Sequence, residues 1–257
     1  MKSDPLHVLK GSPSPSSPPT GSMVPGASTL RISEIFYSLQ GEGMLVGTPS
    51  LFIRLSGCNL RCTWCDTPYA SWKPEGEDWP IVAILGQARK SWPNHHIVIT
   101  GGEPMIFPGL VALTERLKDD DFHITIETAG TVFEPVSCDL MSISPKLSNS
   151  TPYKKDKGRW VEQHERLRRQ PEVLKKLMRA YDYQLKFVIA KPEDLLEARE
   201  LVEEIGADRR RVVLMPEGTK AKVLAERSVW LAEAAKHHCY RFSPRLHIGL
   251  WGDKRGV

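Results

Sequence analysis

The chain contains no run of about eighteen apolar residues, the length a helix needs to cross a bilayer. Its opening stretch, MKSDPLHVLKGSPSPSSPPTGS, also lacks the apolar centre of a signal peptide. A cytoplasmic protein with no membrane partner is expected. A dominant charge is missing too: 35 basic residues against 31 acidic leave a net charge of +4. That excess mildly favours an anionic substrate and falls short of a nucleic-acid-binding signature. Cysteine is too sparse for a disulfide framework, because there are five, an odd number, and three crowd one loop. A reducing compartment fits that usage. No internal repeat of roughly 20 to 50 residues is present.

What remains is the composition of an ordinary globular protein, 40% hydrophobic and 26% charged over 257 residues, enough for one catalytic domain with a substantial core. Residues 1–28 are rich in Ser, Pro and Gly and read as a disordered extension, because they cannot bury enough apolar surface to offset the entropy of ordering. Residues 29–257 read as the catalytic domain. There, short apolar runs rich in β-branched residues alternate with segments of helical period, the pattern of an α/β fold with a parallel sheet and crossover helices.

Six runs predict strands: SLFIRLS from Ser50, HIVIT from His96, FHITIET from Phe122, LMSIS from Leu140, YQLKFVIA from Tyr183 and RVVLMP from Arg211. Helices are expected in KPEDLLEARELVEEIGAD, with Pro192 near its start and Gly206 as its stop, and in KVLAERSVWLAEAAKHH, IVAILGQARKSW and GLVALTERLKDD. The basic stretch from Tyr153 to Arg179 reads as a solvated loop leading into a charged helical face, without chemistry. The polar motifs follow the strand ends: GCNLRCTWCDT, GGEP, TAG, PK and EGT. In barrels of alternating strands and helices, that rim is where active sites are built.

Cys58, Cys62 and Cys65 fall within eight positions, spaced C-x3-C-x2-C. Structural zinc would require a fourth ligand, and none is evident. Cys138 and Cys239 read as small buried hydrophobes. His237 and His238 read as cations at a helix end, and His95 and His96 merely precede a strand. Three thiolates suit a cubane iron–sulfur cluster with one iron left open for a small ligand, which an electron carrier held by four cysteines does not offer.

This loop, with Trp64 before the last cysteine, resembles the signature of the radical S-adenosylmethionine superfamily, and ITGGEP from Ile99 to Pro104 resembles that superfamily's glycine-rich turn. A glycine there would let the backbone approach the cofactor closely. The flanking stretch SLQGEGMLVGTPSLFIRLSGCNLRCTWCDTPYA is similar to the 7-carboxy-7-deazaguanine synthases. The likeness continues through VITGGEP, IETAG, SISPK, QLKFVIA, LMPEGT and PRLHIGLWGDKRGV. It covers nearly everything after residue 30.

The resemblance implies an incomplete TIM-like barrel of the β6/α3 type with a radical S-adenosylmethionine core. It implies a lyase that contracts 6-carboxytetrahydropterin to 7-carboxy-7-deazaguanine, with loss of ammonia, for queuosine. The implied cofactors are a [4Fe-4S] cluster on Cys58, Cys62 and Cys65, S-adenosylmethionine and Mg2+. The implied partners are the pterin substrate, an electron donor such as flavodoxin or ferredoxin, and a second copy of the chain. Trp64, Cys65, Asp66, Gly102, Ser144, Pro145 and Lys146 would border S-adenosylmethionine, and Leu39, Gln40, Gly41, Arg54 and Thr100 the substrate. Thr67 would help hold magnesium, which prefers oxygen ligands; its other reading is a turn residue before Pro68.

Arg54 also makes chemical sense by itself, since a guanidinium pairs bidentately with a carboxylate; its plain alternative is a surface ion pair. Lys146 could meet an anionic group or lie over the rim. Lys186 is a weaker candidate for a buried functional lysine. Glu42, Glu103 and Glu127 could orient amines or serve as loop acids. A glycyl-radical activase and a non-enzymatic metal-binding module are the competing functions.

Overall fold

The computed structural model describes residues 29–91 and 95–257. The extension expected over residues 1–28 lies outside them, as does Trp92 at the end of one expected helix. Among the described residues the strands are β1 (Thr29–Leu39), β2 (Pro49–Leu55), β3 (Glu77–Pro80), β4 (His96–Gly101), β5 (His123–Thr128), β6 (Leu140–Ile143), β7 (Tyr183–Ile189), β8 (Val212–Pro216) and β9 (Arg241–Phe242). They form one sheet in the order β3-β1-β2-β4-β5-β6-β7-β8-β9. From β2 to β9 every neighbouring pair is parallel, and β1 is antiparallel to both β2 and β3. The sheet ends at β3 and β9, so the barrel is not closed, as the fold class anticipated.

The six expected strands are β2 and β4 to β8. The expectation omitted β1, β3 and β9. The last two are four and two residues long, too short for periodicity to register, and they exist because a neighbouring strand offers partners.

The four expected helices are α1 (Ile81–Lys90), α2 (Gly109–Asp119), α5 (Pro192–Ile205) and α6 (Ala221–His238). Between α2 and α5 the basic stretch folds into α3 (Val161–Arg168) and α4 (Pro171–Ala180), and α7 (Leu246–Trp251) follows β9. In the helices foreseen from sequence, helical period gathers the buried residues on one stripe. In α1 that stripe is Ile81, Ile84, Leu85 and Ala88; in α2 it is Leu110, Leu113, Thr114 and Leu117. Helix α5 opens with Pro192 and stops at Gly206, whose φ of 66° is left-handed, as anticipated. Cys239 caps α6 with φ 56° and is exposed, which corrects the expectation of a buried thiol. Cys138 is partly buried against the core.

The strands carry two alternating sets of side chains. Ile53, Leu55, Ile97, Ile99, Ile124, Ile126, Met141, Ile143, Leu185, Phe187, Val212 and Leu214 join the helix stripes in one core. All seven residues of β7 are buried, as expected of a parallel strand covered on both faces. The opposite set includes Arg54, Thr100, Glu127, Ser142 and Lys186, one polar residue on each of five successive strands.

Candidate active site

Those five polar side chains line one cavity of about 500 Å3 at the C-terminal ends of the strands. Cys58, Cys62 and Cys65 line it too. The inward phase of the sheet and the loop after β2 thus converge on a single space.

The cysteine loop is held by backbone bonds on several sides. Gly57 N–H donates to the Ala70 carbonyl at 2.9 Å, and Glu103 N–H donates to the Gly57 carbonyl at 2.9 Å. The Arg61 guanidinium donates to the carbonyls of Cys58 and Leu60, both at 2.7 Å. The Trp72 indole donates to the Cys62 carbonyl at 2.9 Å. Cys58 Sγ accepts from Leu60 N–H at 3.4 Å, and Cys65 Sγ lies 3.1 Å from Ser71 Oγ. Burial pushes the thiols of Cys58 and Cys62 up to about 12. They are neutral until a cation replaces their protons.

Among the described residues no three Cys, His, Asp or Glu side chains converge as they would around one metal ion. Three thiols lining one cavity form a soft donor set, which selects iron–sulfur chemistry over hard cations. The residues present therefore fit a cluster.

After β4, the glycine turn packs directly on this loop. A Cβ at Gly101, where φ is 150°, would come 2.3 Å from the Leu55 carbonyl oxygen. One at Gly102 would come 2.1 Å from the Gly57 oxygen and 2.5 Å from the Ala70 oxygen. The glycines are required for backbone to lie against backbone, a different reason from cofactor approach alone. Glu103 turns inward and is fully buried. Its carboxylate accepts from Met105 N–H at 3.0 Å, Thr128 Oγ1 at 2.7 Å and Ala129 N–H at 2.7 Å. Burial raises its pKa, against those three donors. Of its two possible roles it takes the structural one, tying the turn to the end of β5.

Across the cavity runs a chain of charges. Lys186, 4% exposed, pairs with Glu42 and lies 3.6 Å from Glu127. Glu127 accepts from Thr100 Oγ1 at 2.9 Å and from the Gln40 amide at 3.4 Å. Glu42 also meets Arg245 Nε at 3.0 Å, and the same guanidinium pairs with Asp66 and donates to the Gly218 carbonyl at 2.6 Å. Burial opposes the Glu42 charge, but Lys186 and Arg245 hold its carboxyl well below the usual range. Burial likewise opposes the Lys186 charge, and Glu42 and Glu127 outweigh it, so its pKa is raised.

Arg54 donates from Nε to Glu34 at 2.7 Å and lies over the Phe36 ring. Glu34 also accepts from Tyr69 Oη at 2.9 Å and Arg255 Nε at 2.9 Å. The ion pair foreseen as the plain alternative is real, yet it is partly buried at the cavity wall rather than on the open surface.

Leu39, Gln40, Gly41, Arg54, Trp64, Cys65, Asp66, Thr67, Thr100, Gly102, Ser144 and Lys146 all line the cavity. Pro145 is buried and is not among the lining residues. Lys146 Nζ donates to the Ser144 carbonyl at 2.7 Å and to its hydroxyl at 2.8 Å. The Trp64 indole donates to the Asn149 carbonyl at 3.0 Å. A Cβ on Gly41 would lie 1.9 Å from His247 Nδ1, so this glycine admits α7 to the site.

The sequence reading assigned no role to Tyr69, Arg245, His247 or residues 253–257, which also line the cavity or brace it. For the strand residues a signal existed: Glu127 and Lys186 interrupt apolar runs in the phase of Arg54 and Thr100. Arg245 and His247 stand in the stretch PRLHIGLWGDKRGV that carries the family likeness, but no local period points them at the cavity.

An open parallel barrel with three thiols at its mouth defines the class, a radical S-adenosylmethionine protein. Residues 52–147 match the model of the Radical SAM superfamily. The 7-carboxy-7-deazaguanine synthase of Rhodopirellula baltica is 43% identical over 254 residues, covering 98% of each chain. That of Halobacterium salinarum is 44% identical over 234 residues, covering 87% of this chain and 91% of the other. A crystal structure of QueE from Escherichia coli superposes with a TM-score of 0.66 at 26% identity, covering 85% of this chain and 95% of that one. The chain belongs to the 7-carboxy-7-deazaguanine synthase family.

Proposed function

We propose that this chain is a lyase-type radical S-adenosylmethionine enzyme that contracts 6-carboxy-5,6,7,8-tetrahydropterin to 7-carboxy-7-deazaguanine, releasing ammonia, in 7-deazapurine biosynthesis. The observation that carries the reading is one cavity lined both by three thiols and by the Arg54 guanidinium with the Glu127–Lys186–Glu42 chain. When bound, a [4Fe-4S] cluster with S-adenosylmethionine supplies one-electron cleavage of the sulfonium and removal of a hydrogen atom from the substrate.

The rest is the work of the chain's own residues. Cys58, Cys62 and Cys65 would hold the cluster. Trp64, Asp66, Gly102, Ser144 and Lys146 border S-adenosylmethionine, while Leu39, Gln40, Gly41 and Thr100 border the pterin. Arg54 receives the substrate carboxylate, for which a permanently charged planar fork is suited. Its Nε is already committed to Glu34, which fixes the direction of the remaining donors. Glu127 and Glu42 offer acceptors for the pterin's ring N–H groups, and Lys186 beside them holds the Glu42 carboxyl below its usual range. The Thr67 hydroxyl, which lines the cavity, would supply an oxygen donor to Mg2+. Positioning is the main catalytic contribution, because the reacting carbon must lie against the cofactor with water and oxygen kept out.

Residues 29–257 constitute the catalytic domain, the working form is a homodimer in the cytoplasm, and flavodoxin or ferredoxin delivers the electron. Among the described residues no helix is long and apolar enough to cross a membrane. The test is anaerobic incubation of reconstituted protein with 6-carboxytetrahydropterin, S-adenosylmethionine, Mg2+ and a reductant. The deazapurine product is expected, and its absence with an intact cluster rejects the reading.

A further inference from the structure

The basic stretch that had no assigned chemistry lies against the outer side of the cysteine loop. In α3 the Gln163 amide donates to the Asn59 carbonyl at 3.2 Å, and Leu167 packs on the small cluster of Leu60, Cys62 and Ala129. Between them His164 is 1% exposed. Its Nδ1 accepts the backbone N–H of Arg61 at 3.1 Å, and its Nε2 lies 2.9 Å from Ser150 Oγ.

The partners dictate the tautomer. Nδ1 faces a donor and so carries no hydrogen. The Ser150 hydroxyl gives its proton to the Leu147 carbonyl at 2.6 Å, so Nε2 supplies the hydrogen between ring and serine. Burial lowers the imidazole pKa to about 4, consistent with this neutral form. Ser150 then closes the unit, because its own carbonyl accepts the Thr63 N–H at 2.7 Å. The amides on both sides of Cys62 therefore end on the same His164–Ser150 pair.

We propose that His164 is a positioning residue for the cysteine loop: its neutral imidazole, braced by Ser150, fixes the backbone flanking Cys62 and so sets where that thiol meets the cluster. This rests on the reading of the loop as the cluster's holder. A histidine that only filled space would be replaced without loss by leucine. One that acts through its two nitrogens is replaced better by glutamine, which also offers an acceptor and a donor at the end of a side chain of similar reach.

The experiment compares the parent protein with His164→Leu, His164→Gln and Ser150→Ala after anaerobic reconstitution. Iron and sulfide per chain, the rate at which bathophenanthroline strips iron, and the EPR spectrum of the dithionite-reduced cluster are measured. His164→Leu is expected to lose iron roughly tenfold faster than the parent, the factor one ordinary hydrogen bond supports, with an altered reduced-state spectrum. His164→Gln is expected to restore both.

Parent-like retention in His164→Leu, or loss in His164→Gln as fast as in His164→Leu, overturns the proposal. Should His164→Leu fail to fold, Ser150→Ala decides: it keeps the ring and removes its brace, so faster iron loss supports the proposal and parent-like loss overturns it. A parent that binds no iron at all overturns the cluster reading itself, a result distinct from any difference among variants.

Discussion

Replacing Lys186 with methionine removes the ammonium between Glu42 and Glu127 while nearly preserving volume. Lys186 is 4% exposed, and the side chain of Glu42 is 15% exposed. Breaking a buried pair by deleting one partner costs about 3 to 5 kcal/mol. Glu42 keeps Arg245 at 3.0 Å, and Glu127 keeps Thr100 at 2.9 Å, so the lower end applies, about 3 kcal/mol at pH 7. The pH dependence follows from the two displaced groups. The Glu42 carboxyl is depressed from its ordinary 4.5, so its contribution is present above that value and is lost as pH falls towards the folded pKa. Lys186 is raised from its ordinary 10.5, so its contribution is complete below that value and is lost at higher pH. The gap between parent and variant is therefore widest between these limits and narrows as Glu42 takes up a proton. Urea unfolding of the metal-free proteins at pH 7 and pH 3 measures it. A gap below about 1 kcal/mol at pH 7, against the 3 expected for a broken buried pair, or one that is as wide at pH 3, refutes the reasoning.

Gly102→Ala places a Cβ 2.1 Å from the Gly57 oxygen, which backbone cannot yield cheaply. A loss of about 1 to 3 kcal/mol, read as a lower thermal midpoint, is expected together with weaker S-adenosylmethionine binding by calorimetry. Arg54→Ala should raise KM for the pterin and leave S-adenosylmethionine cleavage without product. Because the fork geometry differs, Arg54→Lys should not restore coupling; measuring deazapurine against 5′-deoxyadenosine decides. Cys62→Ala should abolish cluster assembly and turnover, and residual turnover would contradict the ligand assignment.

The six parallel strands and their four long helices were readable because β-branched runs and three-four spacing are local patterns that burial on the sheet reinforces. The same locality explains the cysteine loop, whose ligands lie within eight residues. Local pattern failed where pairing alone creates an element, as in β3 and β9, and where one side chain has two plausible roles. Glu103 and Glu127 looked alike as acids at strand ends. The turn after β4 carries Glu103 back into the protein to cap Met105, whereas the inward phase of β5 aims Glu127 at the cavity.

By itself the sequence determined the α/β architecture, the position of the cysteine loop at a strand end and the polar breaks in the strands that face inward. Those depend on periods of two and 3.6 residues and on chain proximity. Only the tertiary structure decided that Arg245 joins Glu42 to Asp66, that residues 253–257 line the cavity, and that His164 pins the amides beside Cys62. These pairs are separated by roughly 100 to 200 positions, and no local period encodes a contact that forms only when the sheet brings distant loops to one rim.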